Sequence, residues 1–284
     1  MQTGTAIFPD TSIHIARLLR EPEMKKIIEQ RLASYDLVVS SSVVVQEFKR
    51  RILPEAIYLI NQLNNRGSYQ KVKRHVTHVL PEIMKRKRQI CLGMLEKIFE
   101  DVGNVDDSEL TERAKLYLHT LIKHGVKYFQ SKVGHIIPGT NCYLSKLPVK
   151  VKQPYKYEPI ETKCSNVYPL CPIVDFLKEK KELCKQFLEY LSNLSNKTKE
   201  LENTLEFLRG FVTNPDIVHE KDPCYCVGDL LVALESHNIP DFYTMNYKES
   251  KFFCDVLDQN LIVLPPNPDK SEKVYSKDSK PWNL

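Results

Sequence analysis

No apolar run approaches the roughly 18 residues that a membrane-crossing helix needs, so a membrane-embedded chain is not expected. The opening MQTGTAIFPD lacks the basic and apolar regions of a secretion signal, which predicts an intracellular, cytoplasmic protein. There is no glycine-rich phosphate loop, and nucleotide hydrolysis of the P-loop kind is thereby unsupported. No nucleophile motif accompanies any of the eight histidines, which argues against a cysteine-histidine hydrolase. None of the eight cysteines stands in a CxxC pair. Without a secretion signal the thiols are read as reduced or metal-bound rather than as a disulfide framework.

Two of the cysteine spacings still allow a metal. Cys164-x6-Cys171 and Cys224-x-Cys226 lie on either side of a long helical stretch, and four thiolates brought together there would make a structural Zn²⁺ site. The plainer reading of these four is packed free thiols. Cys91, Cys142 and Cys254 sit among apolar residues and read as packing.

What is present suits a globular chain: 284 residues, 42% hydrophobic and 27% charged. The net charge of +5 is mild, but its distribution is uneven. Between Arg66 and Arg88 lie Lys71, Lys73, Arg74, Lys85, Arg86 and Lys87 against a single acid, Glu82, with Lys49, Arg50 and Arg51 just upstream. Such a stretch is either a phosphate-contacting surface or a solvated helix face.

Both ends of the chain alternate strand and helix patterns. Thr5–Phe8 is a short apolar run broken by Pro9-Asp10-Thr11-Ser12, after which Ile13, Ala16, Leu18 and Leu19 predict a helix. A second helix around residues 22–34 leads into the β-branched run Asp36–Ser40, typical of a buried parallel strand. Ser40–Ser42 then offer caps for a helix carrying Val44, Val45, Glu47, Phe48 and Ile52. Near the other end, Gly228-Asp229 opens an apolar helix, residues 241–245 form a short strand, 247–259 a helix, and 261–264 a last strand closed by Pro265-Pro266. This grammar predicts an α/β fold with a parallel sheet.

Residues 55–132 and 172–212 show long helical periodicity, and 133–171, with five prolines at 138, 148, 154, 159 and 169, read as loop-rich. The expected organisation is a core of residues 1–64 and 215–284 split by a mainly helical insertion, 65–214. The polar tail from Asn267 onward is expected to be loose.

In an open parallel sheet, reacting groups gather beyond the carboxyl ends of the strands. Asp10 follows the first strand, Glu47 the second, Asn246 the strand ending at Met245, and Asp229 heads the helix before that strand. Each acid has a structural alternative: Asp10 and Asp229 as helix caps, Glu47 as a partner of Arg50 or Arg51. Together, however, clustered carboxylates repel and require a compensating cation. Oxygen donors suit Mg²⁺ or Mn²⁺, and such ions activate water and stabilise a leaving oxygen in phosphodiester cleavage.

The ordered set Ile7-Phe8-Pro9-Asp10-Thr11-Ser12, Val43-Val44-Val45-Gln46-Glu47-Phe48, Gly228-Asp229-Leu230 through Tyr243-Thr244-Met245-Asn246, and Leu261–Pro265 resembles the PIN-domain nucleases. The resemblance covers residues 1 to about 55 and about 225 to 266. It implies a PIN-like metal-dependent endoribonuclease, of a toxin, defence or RNA-processing kind, with Asp10, Glu47 and Asp229 as metal ligands. Thr244 and Asn246 would orient a ligand, water or scissile phosphate. Asn246 stands where many members carry a fourth Asp, and its neutral amide weakens a second metal position.

RNA is then the expected partner, contacted through Lys49, Arg50, Lys71, Lys73, Arg74, Lys85, Arg86 and Arg88, with Tyr69 and His75 as stacking neighbours. A homodimer and an inhibitory or regulatory protein are further expected partners. The competing expectation is a catalytically idle PIN-like scaffold that binds RNA or protein through the insertion.

Overall fold

A computed structural model of the chain describes residues 5–80, 84–141, 151–153, 155–158, 172–215 and 227–276. In chain order the described elements are β1 (Ala6–Pro9), α1 (Thr11–Leu19), α2 (Pro22–Ala33), β2 (Leu37–Ser41), α3 (Ser42–Arg66), α4 (Tyr69–His78), α5 (Lys85–Val102) and α6 (Asp107–Gln130). There follow β3 (His135–Ile137), β4 (Val151–Gln153), β5 (Lys156–Tyr157), α7 (Pro172–Glu179), α8 (Lys181–Asn193) and α9 (Lys199–Thr213). The chain closes with α10 (Gly228–Ser236), β6 (Asp241–Thr244), α11 (Tyr247–Leu257), β7 (Asn260–Val263) and β8 (Lys273–Tyr275). The fold is α/β, as the alternation at both ends predicts. No helix among the described residues is long and apolar enough to cross a membrane.

One six-stranded sheet runs β3-β2-β1-β6-β7-β8. Its first five strands are mutually parallel, with Ile7 opposite both Val38 and Asp241, and Phe242 opposite Leu261. The two strands at the centre come from opposite ends of the chain. They are short apolar runs buried on both faces, which is what a central parallel strand requires.

Alternation sorts their side chains between two layers. Ile7, Tyr243 and Ile262 point to α1 and α2, where Ile13, Met24 and Ile28 complete a small core. Phe8, Phe242 and Leu261 point the other way into a large core that continues through Val44, Phe48 and Ile52 of α3, Cys91 and Met94 of α5, and Phe187 of α8. The helical middle of the chain is thus continuous with the sheet's own core.

The sheet departs from the expected one at both edges. Residues 135–137, expected in a loop-rich stretch, form β3 beside β2, tied in by Gly134 N–H donating to the Val38 carbonyl at 2.8 Å. The tail expected to be loose turns back instead: β8 pairs antiparallel with β7, so the sheet is mixed and β7 is not its last strand. The Glu272 carboxylate anchors that return by accepting from Arg31 Nε at 2.8 Å and from the Tyr243 hydroxyl.

Pro54 lies inside α3, yet the helix continues to Arg66 because Ala56, Ile57, Leu59, Ile60 and Leu63 bury the turns beyond it. A buried carboxylate fastens the start of the same helix. Glu235 of α10 accepts from Ser42 Oγ at 2.9 Å, Val43 N at 3.2 Å and Thr140 N at 2.7 Å. Burial pushes its pKa above the usual carboxylate range, and those donors partly offset the shift.

Candidate active site: an acidic cluster at the carboxyl edge of the sheet

The carboxyl ends of β1, β2 and β6 deliver the sequence-predicted residues to one edge. Asp10 directly follows β1 and caps α1, its Oδ1 accepting from Ile13 N at 3.1 Å and from Ser12 Oγ at 2.5 Å. Its Oδ2 accepts from Thr244 Oγ1, at the end of β6, at 2.6 Å. Thr244 is fully buried and its hydroxyl also accepts from Asn246 N at 2.8 Å, so one hydroxyl links the two chain ends. Ser12 repeats the device by accepting from Met245 N at 2.9 Å. Asp10 is therefore held at both oxygens by groups that themselves have no freedom to turn.

Glu47 lies in the second turn of α3 and faces the same edge, where Thr11 Oγ1 donates to it and Arg51, one helical turn on, pairs with it. Both structural alternatives weighed for Asp10 and Glu47 are thus realised, and both side chains still reach the cluster. Asp229 behaves differently. The cap position of α10 is Val227, and no side chain caps this helix, so Asp229 does not perform the capping role open to it.

Asp10, Glu47 and Asp229 line one small pocket together with Phe242, Ser250 and Phe253. Burial pushes the Asp229 carboxyl up to about 7, and the neighbouring charges of Glu47, Glu249 and Asp10 add to the effect while Arg51 opposes it. The residue is exposed on its outer side, and burial of the carboxyl toward the pocket remains the larger cause, with the three like charges second. Asp10 is likewise raised, chiefly by burial, with the Ser12, Thr244 and Ile13 hydrogen bonds pulling down and Glu47 pushing up.

Glu249, in the first turn of α11, is the cluster member that sequence reasoning missed. Asn246 Nδ2 donates to it, and its charge is felt at Asp229. The signal lay three residues beyond Asn246: where a fourth acid was sought, the chain carries an amide and sets the carboxylate one helical turn later.

The oxygen donors fit a hard divalent cation, carboxylates and an amide with four acids against one arginine, while the Cys254 thiol that lines the same pocket is held protonated by burial. The side chains are not closed around such an ion, since among the described residues no group of three or more His, Cys, Asp or Glu stands at coordinating geometry. His14, four residues past Asp10, takes no part. It is buried against Phe129 at a ring distance of 4.2 Å, and burial lowers its pKa to about 3.

The basic residues divide. Lys71 and Arg74 on α4, and Lys85 and Arg86 on α5, are exposed, while Lys73 and Arg88 are half-buried. Lys49 is 6% exposed and offers no surface ammonium to a phosphate, and Arg50 is also partly covered. Tyr69 is fully buried, its hydroxyl donating to the Leu95 carbonyl at 2.5 Å, so it cannot stack on a base. His75 is engaged by Arg66 and Tyr58. Cys91, Cys184 and Cys254 are buried free thiols, and Cys164, Cys171, Cys224 and Cys226 lie outside the described residues.

No family model matches the chain, and no curated protein or solved structure matches it either.

Proposed function

We propose that the protein is a metal-dependent endoribonuclease that hydrolyses RNA phosphodiester bonds, with residues 1–64 and 215–284 as a PIN-like core and 65–214 as a helical insertion. The observation that carries this reading is Asp229. It caps nothing, yet it stands among three other carboxylates whose charges oppose its ionisation. Mutual repulsion of that kind is retained where a bound cation relieves it.

Asp10, Glu47 and Asp229 would hold Mg²⁺ or Mn²⁺, and Glu249 stands close enough to join them. A cation held there would supply water activation and charge neutralisation at a leaving oxygen. The chain's own contribution is positional. Thr244 and Ser12 hold both oxygens of Asp10, the Thr11 hydroxyl fixes Glu47, and Asn246 steers Glu249 through its amide N–H. Arg51 sets a single positive charge beside the acids, where a phosphodiester would enter.

Two observations favour a second reading, an idle scaffold of the same fold. Glu47 is already satisfied by Arg51, and the acids are not closed to coordinating geometry.

Incubating total RNA with Mn²⁺ or Mg²⁺ tests the choice, comparing the wild type with Asp10→Asn and Asp229→Asn. Discrete, metal-dependent products are expected from the wild type, with a loss of at least about 10³-fold in each variant, since a metal ligand contributes several kcal/mol to the transition state. Cleavage retained by Asp10→Asn would sink the ligand assignment. Failure of all three proteins to cleave, with RNA still bound, would establish the scaffold.

A further inference from the structure

Glu235, outside the acidic cluster, joins the two helices that carry Asp229 and Glu47. We propose that it is a positioning residue: its carboxylate clamps α10 to α3, with Thr140 as a third jaw, and so sets the separation at which Asp229 and Glu47 face a cation. This role rests on the reading of the cluster as a metal centre.

The placement of Glu235 on both helices is the first ground. Asp229 lies in the first turn of α10 and Glu235 near its end, about 9 Å along the axis at roughly 1.5 Å per residue. Leu230, Leu231 and Leu234 are fully buried between them, so this short helix moves as one body. On α3, Ser42 and Val43 are the donors to Glu235, and Glu47 stands one helical turn beyond Val43.

The clamp is saturated. A carboxylate offers about four lone-pair positions, and its donors here are Ser42 Oγ at 2.9 Å, Val43 N at 3.2 Å, Thr140 N at 2.7 Å and the Ser41 hydroxyl. Since Ser42 spends its hydrogen on Glu235, the Thr140 hydroxyl donates to Ser42 Oγ, at 2.9 Å. All of these side chains are buried, and the start of α3 favours an anion.

The force that the clamp opposes acts between the same two helices. Asp229 and Glu47 line one pocket, and the Glu47 charge works against ionisation of Asp229. No side chain caps α10 at its Asp229 end, so a polar anchor to α3 sits at the other end, at Glu235. A metal constellation tolerates displacements of only about 0.5 Å, which makes that anchor matter to a cation.

Thr140 follows β3, in the segment proposed as an insertion, and Gly139 beside it leaves room for the carboxylate. A Cβ on Gly139 would meet Glu235 Oε1 at 2.8 Å, Glu235 Cγ at 2.9 Å and Phe176 Cε2 of α7 at 3.0 Å. Gly139→Ala therefore displaces the clamp without altering any acid of the cluster.

The test is calorimetric titration with Mn²⁺, at a temperature where each protein is folded, of the wild type, Glu235→Ala, Glu235→Gln, Gly139→Ala and the control Leu63→Ala. Leu63 is fully buried on α3 itself but about 24 Å along the helix from Glu47, so its truncation loosens the core away from the clamp. Mn²⁺ affinity should fall about tenfold in Glu235→Ala and Gly139→Ala, the scale on which groups supporting metal ligands act. Glu235→Gln, which keeps one oxygen for Ser42 and Thr140, should fall less, and Leu63→Ala should match the wild type. Unchanged affinity in Gly139→Ala or in folded Glu235→Ala, or an equal fall in Leu63→Ala, overturns the clamp.

A second readout needs no metal. In EDTA, Asp229→Asn should raise the melting temperature by relieving repulsion, and this gain should shrink in the Gly139→Ala background, where α10 is free to draw away from α3. Equal gains in both backgrounds overturn the clamp. The two readings fail separately. Metal-dependent cleavage with wild-type Mn²⁺ affinity in the clamp variants removes the clamp and keeps the nuclease. No Mn²⁺ binding by the wild type, with the gain still shrunken, keeps Glu235 as the tie that sets the separation of the two acids and removes the metal centre.

Discussion

His14 follows Asp10 by four residues, on the helix that Asp10 caps. Its imidazole turns instead toward Phe129 and Phe48, where burial and the charge of Arg17 hold it neutral. The pKa falls from 6.5 to about 3, so the unfolded chain binds a proton that the folded one refuses. Stability from this group is complete above pH 6.5 and is lost as the pH falls through the window down to about 3. Urea titrations at pH 6.5 and 5 should therefore differ by about 2 kcal/mol more in the wild type than in His14→Phe, at about 1.4 kcal/mol per pKa unit. Subtracting the variant isolates this residue from the raised carboxyls, which act in the opposite sense. An equal loss in both proteins would show that the imidazole protonates without unfolding. The same residue illustrates what sequence conveys about a site. Asp10, Glu47, Thr244 and Asn246 were legible because each sits at or shortly past a strand end, and Asp229 because it heads an apolar helix, whereas the direction of His14 depends on Phe129, more than a hundred positions away.

At the level of elements, the four parallel strands β2, β1, β6 and β7 were legible, since buried parallel strands are continuous apolar runs that need no distant information. The edges were not. β3 is three residues, with His135 exposed and only the pair Ile136-Ile137 apolar and half-buried, too short a run to announce a strand without the ladder that β2 offers. β8 lies in a polar tail and is held by its ladder to β7, by Tyr275 packing on Tyr247 at a ring distance of 5.0 Å, and by the Glu272 carboxylate just before it. Tyr243 is fully buried and its hydroxyl donates to Glu272, while Arg31 pairs with the same carboxylate at 2.6 Å. Glu272→Ala strands the tyrosine hydroxyl and frees the arginine, a loss of about 2 kcal/mol. It should also release β8, so that limited trypsin digestion cuts at Lys270 and Lys273 much faster than in the wild type. Unchanged digestion would mean that the backbone ladder to β7 suffices without the side chain.

Across the whole molecule, the large core binds sheet and helices into one packed body, while the acidic cluster draws its members from β1, α3, α10 and α11. Four carboxylates gathered at one edge of that body repel one another, a cost to the folded state that the unfolded chain does not bear. Asp229 is the member whose removal is structurally free, because it caps nothing and its outer side is open. Asp229→Asn should accordingly raise the melting temperature in EDTA at pH 8, above the value of about 7 to which the Asp229 carboxyl is pushed. Adding Mn²⁺ should reverse the order: a cation that binds only the folded wild type stabilises it by about 2.7 kcal/mol at a hundred times its Kd, while the variant gains far less. A variant less stable than the wild type in EDTA would give Asp229 a role in the fold that its surroundings do not suggest. Equal Mn²⁺ shifts in both proteins would locate the cation away from this cluster, and the electrostatic case for a metal centre at the sheet's edge would fall with it.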